Sequence, residues 1–328
     1  MQSTITAKSV VDFLGSEIVP NQKTDKVAIL PIPFEATTTY RKGCENGPGA
    51  ILEASQQLEC YDDELEAEIG LIVGIYTHEA IADTRESQSV SLEEMLRVTT
   101  ETVKSLADQG KFVIALGGEH GITAGVVEAY RQSSTEPFTV VQIDAHGDLR
   151  HEYEGSIYNH ACVMRRVVEM GLPTVQIGIR SICKAEADLI RDQEMKVIWG
   201  REIARGSDWI QKAIASIPTK RVFLTIDLDG IDPSIIPGVG TPEPGGLSWY
   251  DLIAFLRQLF ISQEVIGCDV MELAPVVDSV VSEFTAAKLV YKLVGYQALA
   301  KGWIQSAPPA EARGLRAPRF QVADQLKP

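Results

Sequence analysis

The apolar positions of this chain fall in short unbroken runs. Residues 27–33, 112–116, 138–143, 175–179, 222–226 and 265–270 are apolar almost throughout. They lack the in–out alternation of a strand with one wet face. Val197 with Ile198 marks another such strand, and residues 71–75 read as a further one. Most of these runs are separated by stretches of helical period: 92–109, from about 122, 161–169, 207–216, 249–260 and 283–294. Another helix opens at Pro48, which suits a first helical turn, and runs to about 58. Strands buried on both faces and alternating with helices make a parallel sheet covered on both sides.

No stretch rich in Pro, Gly or Ser divides this pattern, so residues 27–305 read as one domain. Residues 1–26 read as an N-terminal extension with a short helix around 10–14. Residues 306–328, with Pro308, Pro309, Arg313, Arg316, Pro318 and Arg319, read as a tail or arm. Composition narrows the partners. A net charge of -15 over 328 residues repels nucleic-acid phosphate and anionic lipid. Neither nucleic acid nor membrane is expected as a partner, and no apolar run reaches membrane-spanning length. The five cysteines are scattered without CxxC spacing, as in a cytoplasmic protein with reduced thiols. The first residues lack the basic run and apolar core of a signal peptide.

The chemistry lies where strands end. The run at 138–143 leads directly into Asp144, His146 and Asp148, whose spacing of two puts them on one side of an extended backbone. The strand at 222–226 leads into Asp227 and Asp229, and the one at 112–116 into Gly117, Gly118, Glu119 and His120. Ligands of open α/β sheets bind at the carboxyl ends of the strands. A lone Asp after a strand is commonly a helix cap. Four carboxylates and two imidazoles at three strand ends instead call for cations between them. With no cysteine in the set, the donors suit hard to borderline divalent ions: manganese first, then nickel, cobalt or zinc. Two such ions sharing carboxylates hydrolyse by holding a water as hydroxide.

Glu272 closes the strand at 265–270 on the same sheet edge, where a carboxylate can pair with a cationic substrate group. His160 opens the helix after the acidic loop and can shuttle a proton at neutral pH. His151, close behind the acidic loop, can do either job, whereas His78 has no such context.

Three motifs together resemble the ureohydrolase family of arginases and agmatinases over residues 27–300: Gly117-Gly118-Glu119-His120, Asp144-Ala145-His146-Gly147-Asp148, and Asp227-Leu228-Asp229-Gly230-Ile231-Asp232-Pro233 with the Gly/Pro-rich loop to Gly246. The resemblance implies a three-layer α/β/α fold with a mostly parallel eight-stranded sheet, assembled as a homotrimer or homohexamer. It implies two manganese ions. His120, Asp144, Asp148 and Asp227 would hold one, and Asp144, His146, Asp227 and Asp229 the other, with Asp144 and Asp227 bridging. A hydroxide held by both metals would attack the guanidinium carbon and release urea and an amine. Glu272 would bind the guanidinium, and His160 would pass a proton to the leaving amine. Gly121 and Gly147 stand where Ser and Ala or Thr are commoner, which alters the surroundings of the metals and not the ligands.

The segments 150–155, 158–166 and 178–180 resemble agmatinases, and the asparagine-rich stretch that arginases carry after the metal loop is missing. Agmatine, giving putrescine and urea, is therefore the expected substrate, with Glu152 and Glu154 forming part of an acidic rim. A guanidinobutyrase, a guanidine hydrolase, an arginase and a formiminoglutamase are the alternatives within the family. A non-catalytic metal-binding relative is the alternative outside enzymes.

Overall fold

The computed structural model describes residues 11–86, 90–206 and 208–305. Eight strands form one sheet: β1 (Val27–Ile32), β2 (Ile75–Thr77), β3 (Phe112–Gly117), β4 (Phe138–Ile143), β5 (Thr174–Ile179), β6 (Lys196–Trp199), β7 (Arg221–Asp227) and β8 (Glu264–Met271). Their order across the sheet is β2-β1-β3-β8-β7-β4-β5-β6, and every neighbouring pair is parallel. Between β3 and β4 the chain crosses over and leaves a gap that β7 and β8 later fill. The four strands whose ends carry the acidic and histidine residues thus become the four central neighbours.

Residues along each strand alternate between two cores, as a pleated strand requires. Val27 and Ile29 of β1 enter one core, while Ala28, Leu30 and Ile32 enter the other. Helices α1 (Gly47–Ser55), α2 (Ile69–Val73), α8 (Trp209–Ala215), α9 (Trp249–Ser262) and α10 (Val281–Ala300) cover the first face. The other face takes α3 (Leu92–Asp108), α4 (Thr123–Ser133), α5 (Val163–Glu169) and α6 (Lys184–Asp192). The short α7 (Gly200–Ile203) follows β6. Three layers result, as the family resemblance implies. Pro31 is tolerated within β1 because the β1–β2 ladder ends at Ile29; beyond it the Pro31 carbonyl accepts the Ile81 amide at 3.1 Å and no amide is needed from Pro31.

The structure departs from the expected elements in three places. Residues 71–75 are not one strand: α2 ends at Val73, Gly74 turns at φ 71°, and β2 begins at Ile75. A short apolar run cannot separate the two by periodicity alone. The helix α6 had no sequence counterpart, because its face is half polar and Glu186 is turned inward to cap it. In the N-terminal extension the expected short helix is not formed over residues 11–14, and the segment packs on the domain. Phe13 and Leu14 are fully buried, their amides donate to Thr77 Oγ1 and Ser55 Oγ, and only a 3-10 turn follows, at Gly15–Glu17. Of the expected short helix, residue 10 lies outside the described residues, as does the tail from 306 onward.

Candidate metal centre

Three segments meet at the carboxyl edge of β3, β4 and β7. Two glycines allow the approach. A Cβ on Gly230 would come within 2.7 Å of the Asp144 nitrogen, and one on Gly118 within 2.1 Å of the Phe34 carbonyl oxygen. Asp144 follows β4 and is fully buried. Its Oδ1 accepts the His146 amide at 2.6 Å, and its Oδ2 accepts Gln142 Nε2 at 2.6 Å. Gln142 is held in turn by Gln176 of β5, whose amide also donates to the Gly147 carbonyl at 2.7 Å. Asp229 accepts the Ala145 amide at 3.0 Å, and its own amide donates to Asp227 Oδ1 at 2.9 Å. The loops after β4 and β7 therefore clasp each other through the very carboxylates in question.

The side chains converge in two groups, His120 with Asp144 and Asp148, and Asp144 with His146 and Asp229. Asp144 belongs to both. Nδ1 of His120 lies 3.2, 3.1 and 3.3 Å from carboxylate oxygens of Asp144, Asp148 and Asp227. Nδ1 of His146 lies 2.9 Å from Asp229 Oδ2 and 3.7 Å from Asp144 Oδ1. One atom tests the fit of a cation directly. Among the described residues, His120 Nδ1 is a buried nitrogen without a hydrogen-bond partner, although three carboxylate oxygens surround it. Oxygens and a nitrogen that crowd one point without bonding one another are donors to a common cation. This is a dinuclear metal-binding cluster. The other nitrogen of the same ring is fully engaged. Nε2 meets Thr225 Oγ1 at 2.8 Å, Thr225 meets Thr123 at 3.3 Å, and Thr123 donates to the buried Asp269 at 2.9 Å. That chain fixes the ring so that Nδ1 faces the carboxylates.

The electrostatics carry the same signature. Burial, then repulsion from Asp148 and Asp229, pushes Asp144 up to about 7. Burial and the neighbouring Asp229 and Asp144 raise Asp227 well above the ordinary carboxylate range. Asp229 alone is held down, at about 2, because His146 and the Ala145 amide outweigh its burial. His146 is raised to about 11 by Asp229 against the cost of its burial. Negative charge packed this densely is relieved by divalent cations.

Glu272 lies at the end of β8, beside the cluster. Its Oε1 accepts the His120 amide at 2.7 Å, and burial pushes its carboxyl up to about 8. Glu272 and Asp148 both hold left-handed backbone, φ 68° and 53°, which side chains other than Gly rarely adopt. Such strain of about 1–3 kcal/mol per residue concentrates at functional sites. A cavity of about 250 Å³ opens over this floor and includes His146, Asp148, Asp227, Asp229, His160 and Glu272 among its lining residues. His160 stands on its wall, and burial lowers its pKa.

Other residues lie elsewhere. His151 is 68% exposed, 3.6 Å from Glu169 of α5, and does not line the cavity. The chain turns at Asp148, and Arg166 of α5 holds the His151 carbonyl at 3.0 Å, which carries the residue to the outside. Glu152 and Glu154 do not line the cavity either; Arg150 and Tyr153 occupy its mouth in their place. His78 sits on a surface loop, bonded to the Glu79 carbonyl. Sequence reasoning missed Gln142, Gln176, Thr225 and Asp269. The available signal was a polar residue in the middle of a fully buried strand, a costly position that usually has a purpose.

Comparison with known proteins agrees with this geometry. The Arginase family profile matches residues 25–295. An N(1)-aminopropylagmatine ureohydrolase of Synechocystis sp. is 57% identical over 87% of this chain and 93% of its own length. An agmatinase of Pyrococcus horikoshii is 34% identical over 82% of this chain and 91% of its own. The crystal structure of agmatine ureohydrolase of Thermoplasma volcanium superposes with a TM-score of 0.76 at 29% identity, covering 88% of this chain and 95% of that one. The strand order, the two ligand groups sharing Asp144 and these likenesses lead to one conclusion: the chain belongs to the arginase, or ureohydrolase, family.

Proposed function

We propose that this chain hydrolyses the guanidino group of a linear polyamine, N1-aminopropylagmatine in preference to agmatine, and releases urea. One observation carries the choice: the Synechocystis relative of that name is 57% identical over nearly its whole length. Agmatine, the expectation from the sequence, is the second reading, favoured by the Pyrococcus agmatinase at 34% identity. Arg41 and Arg150 at the cavity mouth could suggest a substrate ending in carboxylates, such as formiminoglutamate. Both are already engaged, Arg41 with the Pro275 carbonyl at 2.7 Å and Arg150 over the Tyr153 ring.

Manganese is the proposed metal, with nickel or cobalt as alternatives, held by His120, Asp144, Asp148, Asp227, His146 and Asp229. When bound, two such ions activate water and stabilise the charge that develops at the guanidino carbon. The side chains do the rest. Glu272, ionised beside the cations, pairs with the guanidinium and sets the face of its carbon toward the floor. His160 passes a proton to the nitrogen that leaves as amine. The cavity walls exclude bulk water from the reacting group. The reading includes a cytoplasmic homotrimer or homohexamer.

Steady-state kcat/KM on N1-aminopropylagmatine, agmatine, arginine, 4-guanidinobutyrate, guanidine and formiminoglutamate, with manganese, nickel and cobalt loaded separately, tests it. The expected order places N1-aminopropylagmatine first, agmatine second and the others far below. Preference for any of the last four overturns the substrate assignment. Bound metal with no turnover of any substrate identifies a non-catalytic relative.

A further inference from the structure

The segment after β1 reaches the centre through a residue outside the three motifs. The Glu119 amide donates to the Phe34 carbonyl at 3.0 Å, which fastens residues 34–37 to the end of β3. The Glu119 side chain, wholly buried, returns the contact. Its Oε2 accepts the amides of Ala36 and Thr37, both at 2.6 Å, and its Oε1 accepts the Thr37 hydroxyl at 2.9 Å. On its other side, Thr37 Oγ1 accepts the His160 amide at 3.0 Å and meets His160 Nδ1 at 3.2 Å.

A hydroxyl has one proton and two lone pairs. The proton goes to Glu119, and one lone pair takes the His160 amide. Only a lone pair remains for Nδ1, so Nδ1 must carry the hydrogen. In the neutral ring Nε2 is then the unprotonated atom. We propose that Thr37 is a positioning residue for catalysis: anchored by Glu119, its hydroxyl holds His160 in the Nδ1–H tautomer and leaves Nε2 as the atom that exchanges protons with substrate. This rests on the proposed hydrolysis and deepens it. In the transfer, the imidazolium gives its Nε2 proton to the nitrogen that takes the electron pair of the breaking C–N bond. It returns to the Nδ1–H tautomer, the one Thr37 favours. Because Glu119 directly precedes His120, the same strand end places a metal ligand and the anchor of the proton shuttle.

The test compares Thr37→Val, which keeps the shape and loses the hydroxyl, with Thr37→Ser, which keeps the hydroxyl. Both are assayed in metal-loaded protein on N1-aminopropylagmatine and agmatine. Thr37→Val is expected to lower kcat about 100-fold with KM changed less than about 2-fold, and Thr37→Ser to recover to within about 3-fold of the parent. Metal content by elemental analysis is expected to stay at two per subunit. In a His160→Asn background, Thr37→Val should cost little further in kcat, since its effect on proton transfer runs through that ring. Multiplying losses in the double variant, lost metal in Thr37→Val, or Thr37→Ser no better than Thr37→Val would each overturn the assignment. A separate readout does not depend on the substrate. Nitrogen NMR of labelled His160 in magnesium-loaded protein should show the Nδ1–H tautomer in the parent and a mixture in Thr37→Val. If the parent turns over no guanidino compound yet shows that tautomer shift, the hydrolytic reading fails and the Thr37 geometry stands. An unchanged tautomer in Thr37→Val overturns the positioning role itself.

Discussion

At the floor of the cavity the metal-binding side chains stand at or just beyond the ends of central strands, and all but His146 are buried. Asp144 is wholly inaccessible, and both of its oxygens have donors. At the mouth the lining comes from loops far apart in sequence, and Tyr40 is 79% exposed. The floor inherits its geometry from strand register, so its positions have little freedom. The mouth is set by turns that can be exchanged without disturbing the sheet. A shared floor with a variable mouth is how one fold serves different substrates of the same reactive group.

The largest expected effect removes the floor. Asp227 lies 3.3 Å from His120 Nδ1 and bonds the Asp229 amide, so Asp227→Ala breaks both sides of the cluster. Metal content and turnover should be lost together, by elemental analysis and urea release. Survival of near-normal urea release would remove Asp227 from the centre. Glu272→Ala tests the boundary between floor and substrate. Glu272 uses its Oε1 on the His120 backbone amide, whereas Asp227 faces the His120 ring nitrogen at 3.3 Å, so metal should remain bound in Glu272→Ala while kcat/KM falls about 100- to 1000-fold. Loss of metal there would make Glu272 part of the cluster.

The floor should also reveal itself without substrate. In metal-free protein Asp144 is raised to about 7 and Glu272 to about 8, while unfolded carboxyls ionise at their ordinary, lower values. Between those values the folded state binds more protons than the unfolded one, so stability falls as pH rises. His146, raised to about 11, acts in the same direction above the ordinary imidazole pKa. Asp229, held at about 2, acts oppositely only below the ordinary carboxyl pKa. The melting temperature of metal-free protein should therefore drop by about 5 °C between pH 5 and pH 8, and added manganese should reverse the drop. A flat profile would mean that neither burial nor mutual repulsion raises these carboxyls.

The contrast also explains what the sequence makes legible. Asp144, His146 and Asp148 can be read directly because spacing of two after an apolar run is local information. The sheet is legible for the same reason. His151 does not line the cavity, because proximity in sequence to the acidic loop says nothing of the left-handed turn at Asp148. Thr37 is invisible because it meets His160 across 123 positions. Glu152 and Glu154, expected in an acidic rim, are not among the cavity-lining residues, and a tight turn sets that arrangement. Tyr153 and Ser156 exchange backbone hydrogen bonds at 3.0 Å, and Glu154 and Gly155 take φ 47° and 82° at the tip, which leaves Tyr153 to line the cavity.

That turn gives the smallest effect and the sharpest test of the mouth. Arg150 stacks over the Tyr153 ring at 4.6 Å, so Tyr153 both lines the outer cavity and holds a cation in place there. Tyr153→Ala releases the guanidinium toward the entrance, where it repels a polycationic chain. Guanidine, which needs only the floor, should be indifferent. N1-aminopropylagmatine carries more charge than agmatine and reaches further out, so its kcat/KM should fall about 3- to 10-fold more than that of agmatine, a difference of about 1 kcal/mol. Metal content should not change. Equal losses on all three compounds would mean that the loop acts on the floor after all, and the division between the two regions would have to be redrawn at Asp148, where the loop leaves the metal cluster.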